Sequence, residues 1–191
     1  MVEEGLFDAR ASTPHDIITA WSTHTTMIHS MKRLAHDVHP PAVFTPQETI
    51  AGMHLYERQC MTCHGGPGEG RADWVQGMNP SPPFLLDASR RWSPGQLFWV
   101  VQNGVKMTGM PAWGLTNSDG QVWDIVAFLE AMPEMKPADF QRSAKSQDRG
   151  NGARKARSSG GVEALRRVEL KLTGPAGGSQ DGGMAKIAPG Q

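Results

Sequence analysis

Cys60 and Cys63 are the only cysteines in the chain, and His64 follows the second directly, giving Cys60-Met61-Thr62-Cys63-His64. Three chemistries use two cysteines at this spacing. A structural zinc site needs four nitrogen or sulfur ligands, so zinc would have to recruit two of His15, His24, His29, His36, His39 and His54, none spaced with the cysteines as the usual zinc patterns require. A thioredoxin-like redox pair expects a strand and a βαβ setting, whereas a helical pattern precedes this motif and no strand follows. Covalent haem attachment has Cys-x-x-Cys-His as its specific signature. Two thiols on adjacent faces of one helical turn can add to the two vinyl groups of haem, and the next residue then aims its imidazole at the iron. Cys60, Cys63 and His64 fill those roles, and both thiols are then consumed as thioethers.

The iron's second axial position decides the use. Methionine opposite histidine gives a six-coordinate iron suited to electron transfer, with a raised potential. Met110 lies 46 residues after His64, in the glycine-flanked loop Thr108-Gly109-Met110-Pro111-Ala112-Trp113. Met107, three residues earlier, is its direct competitor. Without a haem motif upstream, both would read as gap-filling core methionines.

The elements that must position these residues read as helices. Thr13-Pro14 with Asp16 opens a first one, capped by Thr13, with Ile17, Trp21, Ile28, Met31 and Val38 on one stripe and Pro40-Pro41 as its stop. Thr23, Thr25 and Thr26 weaken its middle, so two shorter helices fit equally well. His24, His29, His36 and His39 run along it, which most simply describes a solvated face. Thr45-Pro46-Gln47-Glu48 starts a second helix that continues through Ile50, Met53 and Tyr56 and delivers Cys60. Residues 65–83 are rich in glycine and proline and read as irregular, anchored by Trp74 and Met78. Ser93-Pro94 opens a third helix, stopping near Asn103-Gly104, and residues 119–132 form a last one ended by Pro133. There is no strand-like alternation and no internal repeat.

Residues 1–144 carry 10 Lys and Arg against 15 Asp and Glu, while residues 145–191 carry 9 against 4. An acidic body thus precedes a basic tail rich in Ser and Gly, with no aromatic residue after Phe140. Such a tail buries too little apolar area to offset its ordering entropy and is expected to be disordered, with at most a transient helix over residues 162–172. The net charge is zero, which gives no electrostatic basis for nucleic-acid binding. No apolar run approaches the roughly 20 residues that span a bilayer, and MVEEGLFDAR lacks the features of a secretory signal. Export would therefore depend on an upstream segment or another route.

From Gln47 to Phe140 the sequence resembles a class I c-type cytochrome. The matching pieces are Gly52 and Tyr56 ahead of the haem motif, then Gly65-Gly66-Pro67-Gly68, Pro82-Pro83-Phe84-Leu85, Gly109-Met110-Pro111-Ala112-Trp113-Gly114 and a final aromatic helix. The resemblance implies an all-α fold of a few short helices around one covalent haem c. It also implies a close crossing in which Gly52 and Tyr56 meet Ile125 and Phe128. A proline carbonyl, that of Pro83 with Pro82 as the alternative, accepts a hydrogen bond from the proximal His64 and fixes its ring. It favours Met110 over Met107 as distal ligand, and places Trp99 and Trp113 in the haem wall.

Residues 5–41 also resemble the extension found before the haem domain in some bacterial cytochromes of this type, where a signal or anchor helix lies upstream. The expected organisation is a helical extension at residues 1–45, a haem domain at 46–140 and a disordered tail at 141–191. The expected role is that of a monohaem electron carrier or electron-transfer subunit, not an enzyme, serving redox protein partners, membrane-bound ones included, in the periplasm or on the outer face of the cytoplasmic membrane. The basic tail would be a solvated extension or a docking arm for an acidic partner. The alternative is a haem enzyme or gas sensor with a displaceable distal ligand.

Overall fold

The computed structural model describes residues 8–142. The basic tail and its candidate helix lie outside the described residues. Among the described residues the helices run in order α1 (Ile17–Leu34), α2 (Pro46–Gln59), α3 (Met61–His64), α4 (Ala88–Arg91), α5 (Pro94–Asn103) and α6 (Asp119–Ala131), and residues 137–142 are helical again. Short 3-10 turns at Asp73–Gly77, Trp113–Leu115 and Met132–Glu134 complete the described residues, among which no strand forms. The fold is all-α, as the sequence implies.

The helix starts follow from local chemistry. Thr45 and Glu48 form a reciprocal capping box at α2, Ser93 and Gln96 form one at α5, and Ser118 and Gln121 one at α6. Pro46 and Pro94 occupy the first turns, where a missing N–H costs nothing. Gly104, at φ 65°, takes the chain out of α5.

The start of α1 differs from expectation. Asp16 is the cap, accepting from the backbone N–H groups of Ile18 and Thr19 at 3.0 Å each. Thr13 instead donates its hydroxyl to Asp8, and its carbonyl accepts from Asn79. The helix is continuous, and the Thr23 hydroxyl is satisfied within the turn by donating to the carbonyl of Thr19 at 2.8 Å. Its apolar stripe is used only at one end: Met31 is buried, whereas Ile17 and Trp21 are exposed.

The core lies where α2 crosses α6. Gly52 brings the two backbones together, since a Cβ there would fall inside the Asp124 carbonyl and 2.9 Å from the Ile125 nitrogen. One turn on, the Tyr56 and Phe128 rings meet at 5.1 Å, and Phe140 stacks on Phe128 at 5.9 Å. Phe98 of α5 stacks on Trp123 at 4.2 Å. Full burial of each such side chain stabilises by roughly 1.5–3 kcal/mol, so this aromatic column fixes the angle at which α2 presents its last residues. Val75, not Trp74, anchors the irregular stretch: Val75 is 1% exposed and Trp74 60%. Among the described residues no helix is long and apolar enough to cross a membrane.

Candidate functional site

The end of α2 and the single turn of α3 build one side of the site. Cys60 is buried as the last cap of α2, and its carbonyl accepts from the backbone of His64 at 2.9 Å, so the motif closes into one helical turn. Both cysteines are free thiols. Burial, with Cys63 beside it, pushes the Cys60 thiol up to about 12. Among the described residues, no three His, Cys, Asp or Glu side chains gather as a metal site. Gly65, at φ 68°, ends the turn, and its carbonyl accepts the Tyr56 hydroxyl at 2.6 Å.

His64 Nδ1 lies 2.7 Å from the Pro83 carbonyl. A carbonyl only accepts, so Nδ1 carries the proton and Nε2 keeps a free lone pair. Burial lowers the His64 pKa, the Pro83 hydrogen bond opposes that shift, and the charge of Arg71 adds to it. The neutral imidazole that an iron needs is therefore the favoured form. The Pro82 carbonyl is taken by Arg71.

The loop after α5 carries the second candidate. Thr108 donates its hydroxyl to the Val105 carbonyl at 2.7 Å and accepts from the Met110 N–H at 3.1 Å, while Val105 N–H donates to the Met110 carbonyl at 3.2 Å. This knot turns Met110 inward, half-buried against the core. Met107 sits at φ 61°, 71% exposed, and faces away.

A cavity of about 420 Å³ brings these groups together, lined by Cys60, Cys63, His64, Pro83, Met110 and Trp113. Its size lies within the roughly 300–1,000 Å³ usual for cofactor sites. Trp99 does not line it. The face of α5 that does is Gln96, Leu97, Val100 and Val101, with Trp92 just before the helix; Trp99 lies off that stripe. Leu129 and Ile125 of α6 close another wall.

Sequence reasoning missed two contributors. Met78 reaches the cavity with its methyl packed against Gly109, and α1 supplies Met27, Ile28 and Met31. Of the histidine series only His24 joins the cavity; His36 pairs with Asp37 at the surface and His29 borders a separate shallow pocket.

An all-α fold whose helix crossing delivers two free thiols and an oriented imidazole to an apolar cavity, with a thioether on the same cavity, fits haem c. Fold and site together resemble a c-type cytochrome domain of class I. Residues 47–129 match the family described as cytochrome c oxidase, cbb3-type, subunit III. A curated relative, the thiosulfate dehydrogenase of Thiomonas intermedia (strain K12), is 28% identical over 110 residues, an overlap covering 54% of this chain and 33% of the relative. The chain thus spans about a third of the length of the curated relative it matches. Over residues 47–129, less than half of the chain, the sequence is thus similar to the c-type cytochromes, a class that works by haem-based electron transfer with redox protein partners.

Proposed function

We propose that this chain is a monohaem electron carrier or the electron-transfer subunit of a larger oxidoreductase, working in the periplasm or on the outer face of the cytoplasmic membrane. Cys60 and Cys63 hold one haem c through thioethers, and His64 and Met110 are its axial ligands. The haem supplies a one-electron iron couple. The chain's own part is to hold His64 through the bond from its Nδ1–H to the Pro83 carbonyl, to offer the Met110 thioether, which favours the reduced state, and to keep water out with Leu97, Trp92 and Trp113. Residues 46–140 form the haem domain, residues 1–45 a helical extension, and residues 141–191 a basic tail.

The observation that carries the reading is that His64 and Met110 line one cavity while Met107 faces solvent. Replacing Met110 by Ala is expected to abolish the low-spin six-coordinate spectrum and lower the midpoint potential. Met107→Ala should leave both unchanged. A Met110→Ala protein with the wild-type spectrum and potential would overturn the ligand assignment.

A second reading rests on the curated relative, whose name denotes an enzyme. In it, the domain is the haem module of a sulfur-compound dehydrogenase. Thiosulfate mixed with the oxidised protein would reduce the haem in this reading, and would leave it oxidised in the carrier reading.

A further inference from the structure

The segment that presents the Pro83 carbonyl to His64 is held by side chains from outside it: Arg91 Nη2 lies 3.4 Å from the Phe84 carbonyl, a long contact at the segment's far end, and Arg71 makes the rest. Pro82 and Pro83 lack an N–H, and among the described residues no backbone–backbone hydrogen bond ties residues 81–84. The distance from His64 Nδ1 to the Pro83 oxygen is nevertheless 2.7 Å, so something outside the segment must set its register.

Arg71 touches the segment on both sides of Pro83. Its Nη1 donates to the Pro82 carbonyl and lies 3.3 Å from the Ser81 hydroxyl. Its guanidinium carbon sits 4.1 Å above the centre of the Phe84 ring, a cation–π seat. The Phe84 ring in turn packs on Gly65, the residue after His64, so closely that a Cβ at Gly65 would come within 3.0 Å of it. The arginine is itself rooted on the haem motif, because the N–H of Ala72 donates to the Thr62 carbonyl at 3.0 Å. A planar fork that hydrogen-bonds in its plane and stacks through its face is a task for Arg that Lys cannot perform.

We infer that Arg71 is a positioning residue for the iron site: it fixes the Pro82–Phe84 segment so that Pro83 holds His64 in one orientation. The inference rests on the assignment of His64 as axial ligand. A His64 ring held by a strong Nδ1–H···O bond is a better electron donor, which favours the oxidised state, whereas the positive charge of Arg71 favours the reduced state. Arg71→Lys keeps the charge and removes the fork, so it separates the two.

The test uses the haem-loaded full chain and compares wild type, Arg71→Lys and Arg71→Gln by potentiometry and by NMR exchange of the His64 Nδ1 proton. Both variants are expected to speed that exchange at least tenfold. Arg71→Lys should also raise the midpoint potential by up to a tenfold change in the oxidised-to-reduced ratio, about 59 mV for one electron. Wild-type exchange and potential in Arg71→Lys would overturn positioning and leave only a charge effect. A wild-type protein whose spectrum survives His64→Ala overturns the ligand assignment and the inference with it, an outcome that no Arg71 variant can mimic.

Discussion

Gly52→Ala sets local propensity against packing, and the two predict opposite signs. Within α2 an alanine is favoured over glycine by up to about 1 kcal/mol. At this position, however, the new methyl would overlap the backbone carbonyl of Asp124 and stand 2.9 Å from the Ile125 nitrogen. Neither is the movable end of a side chain, so α2 and α6 must separate by more than an ångström. Overpacking of this kind costs roughly 1–3 kcal/mol. The same separation loosens the 5.1 Å contact of Tyr56 with Phe128 and the hydrogen bond from Tyr56 to Gly65, about another 1 kcal/mol for the bond alone. Net destabilisation should be about 1–3 kcal/mol, a fall in Tm of roughly 4–24 °C for a domain near this size. Thermal unfolding of the haem-loaded protein followed by circular dichroism measures it. Gly120→Ala in α6 is the control, because a Cβ there meets nothing nearer than the Ser118 hydroxyl at 3.8 Å; it should raise stability by about 0.5 kcal/mol. A Gly52→Ala protein as stable as wild type would refute the argument that this glycine sets the helix crossing.

Two further substitutions probe the loops around the motif. Tyr56→Phe removes the buried 2.6 Å hydrogen bond to the Gly65 carbonyl and should cost about 1–2 kcal/mol in urea unfolding with an unchanged m-value; no loss would mean that this carbonyl finds another partner. Val75→Ala should cost about 2 kcal/mol while Trp74→Ala stays within roughly 0.5 kcal/mol of wild type, since only Val75 is buried. The opposite order would contradict the anchoring of this stretch.

The parts of the fold most legible in the sequence are those whose signals are local. The capping boxes at Thr45, Ser93 and Ser118 mark helix starts because both partners lie within one turn. Thr13 was the plausible cap by residue type, yet Asp16, closer to the first turn, reaches two N–H groups at once. Where no period exists, residue type misleads: Trp74 is the larger apolar side chain, but the 3-10 turn of Asp73–Gly77 aims Val75 inward. Trp99 likewise sits on an apolar helix, off the stripe of Leu97, Val100 and Val101 that lines the cavity. The four-residue α4 is too short to carry a period, and it brings Arg91 and then Trp92 to the cavity. The use of Met31 and its neighbours as a cavity wall depends on where α1 docks, which no local pattern encodes.

The two halves of the candidate site show why the cysteine motif could be read directly and its surroundings could not. Cys60, Cys63 and His64 are positioned by one hydrogen-bonded turn, so their spacing alone states their geometry. Everything else that orients the site is a single side-chain group closing an irregular loop. Thr108 knots the Met110 loop by donating and accepting at once, Tyr56 holds Gly65, and Arg71 holds Pro82. Such contacts leave no periodicity, because each satisfies a backbone group that lies outside any helix. They also serve electron transfer directly. A site whose donors are fixed in advance need not rearrange as the charge changes, and a loop held by one polar side chain can be rigid at the point that matters while staying open elsewhere. The Met107 and Met110 pair makes the same case in miniature: the residue types are identical, and it is the hydroxyl of Thr108 between them that turns one inward and leaves the other in solvent.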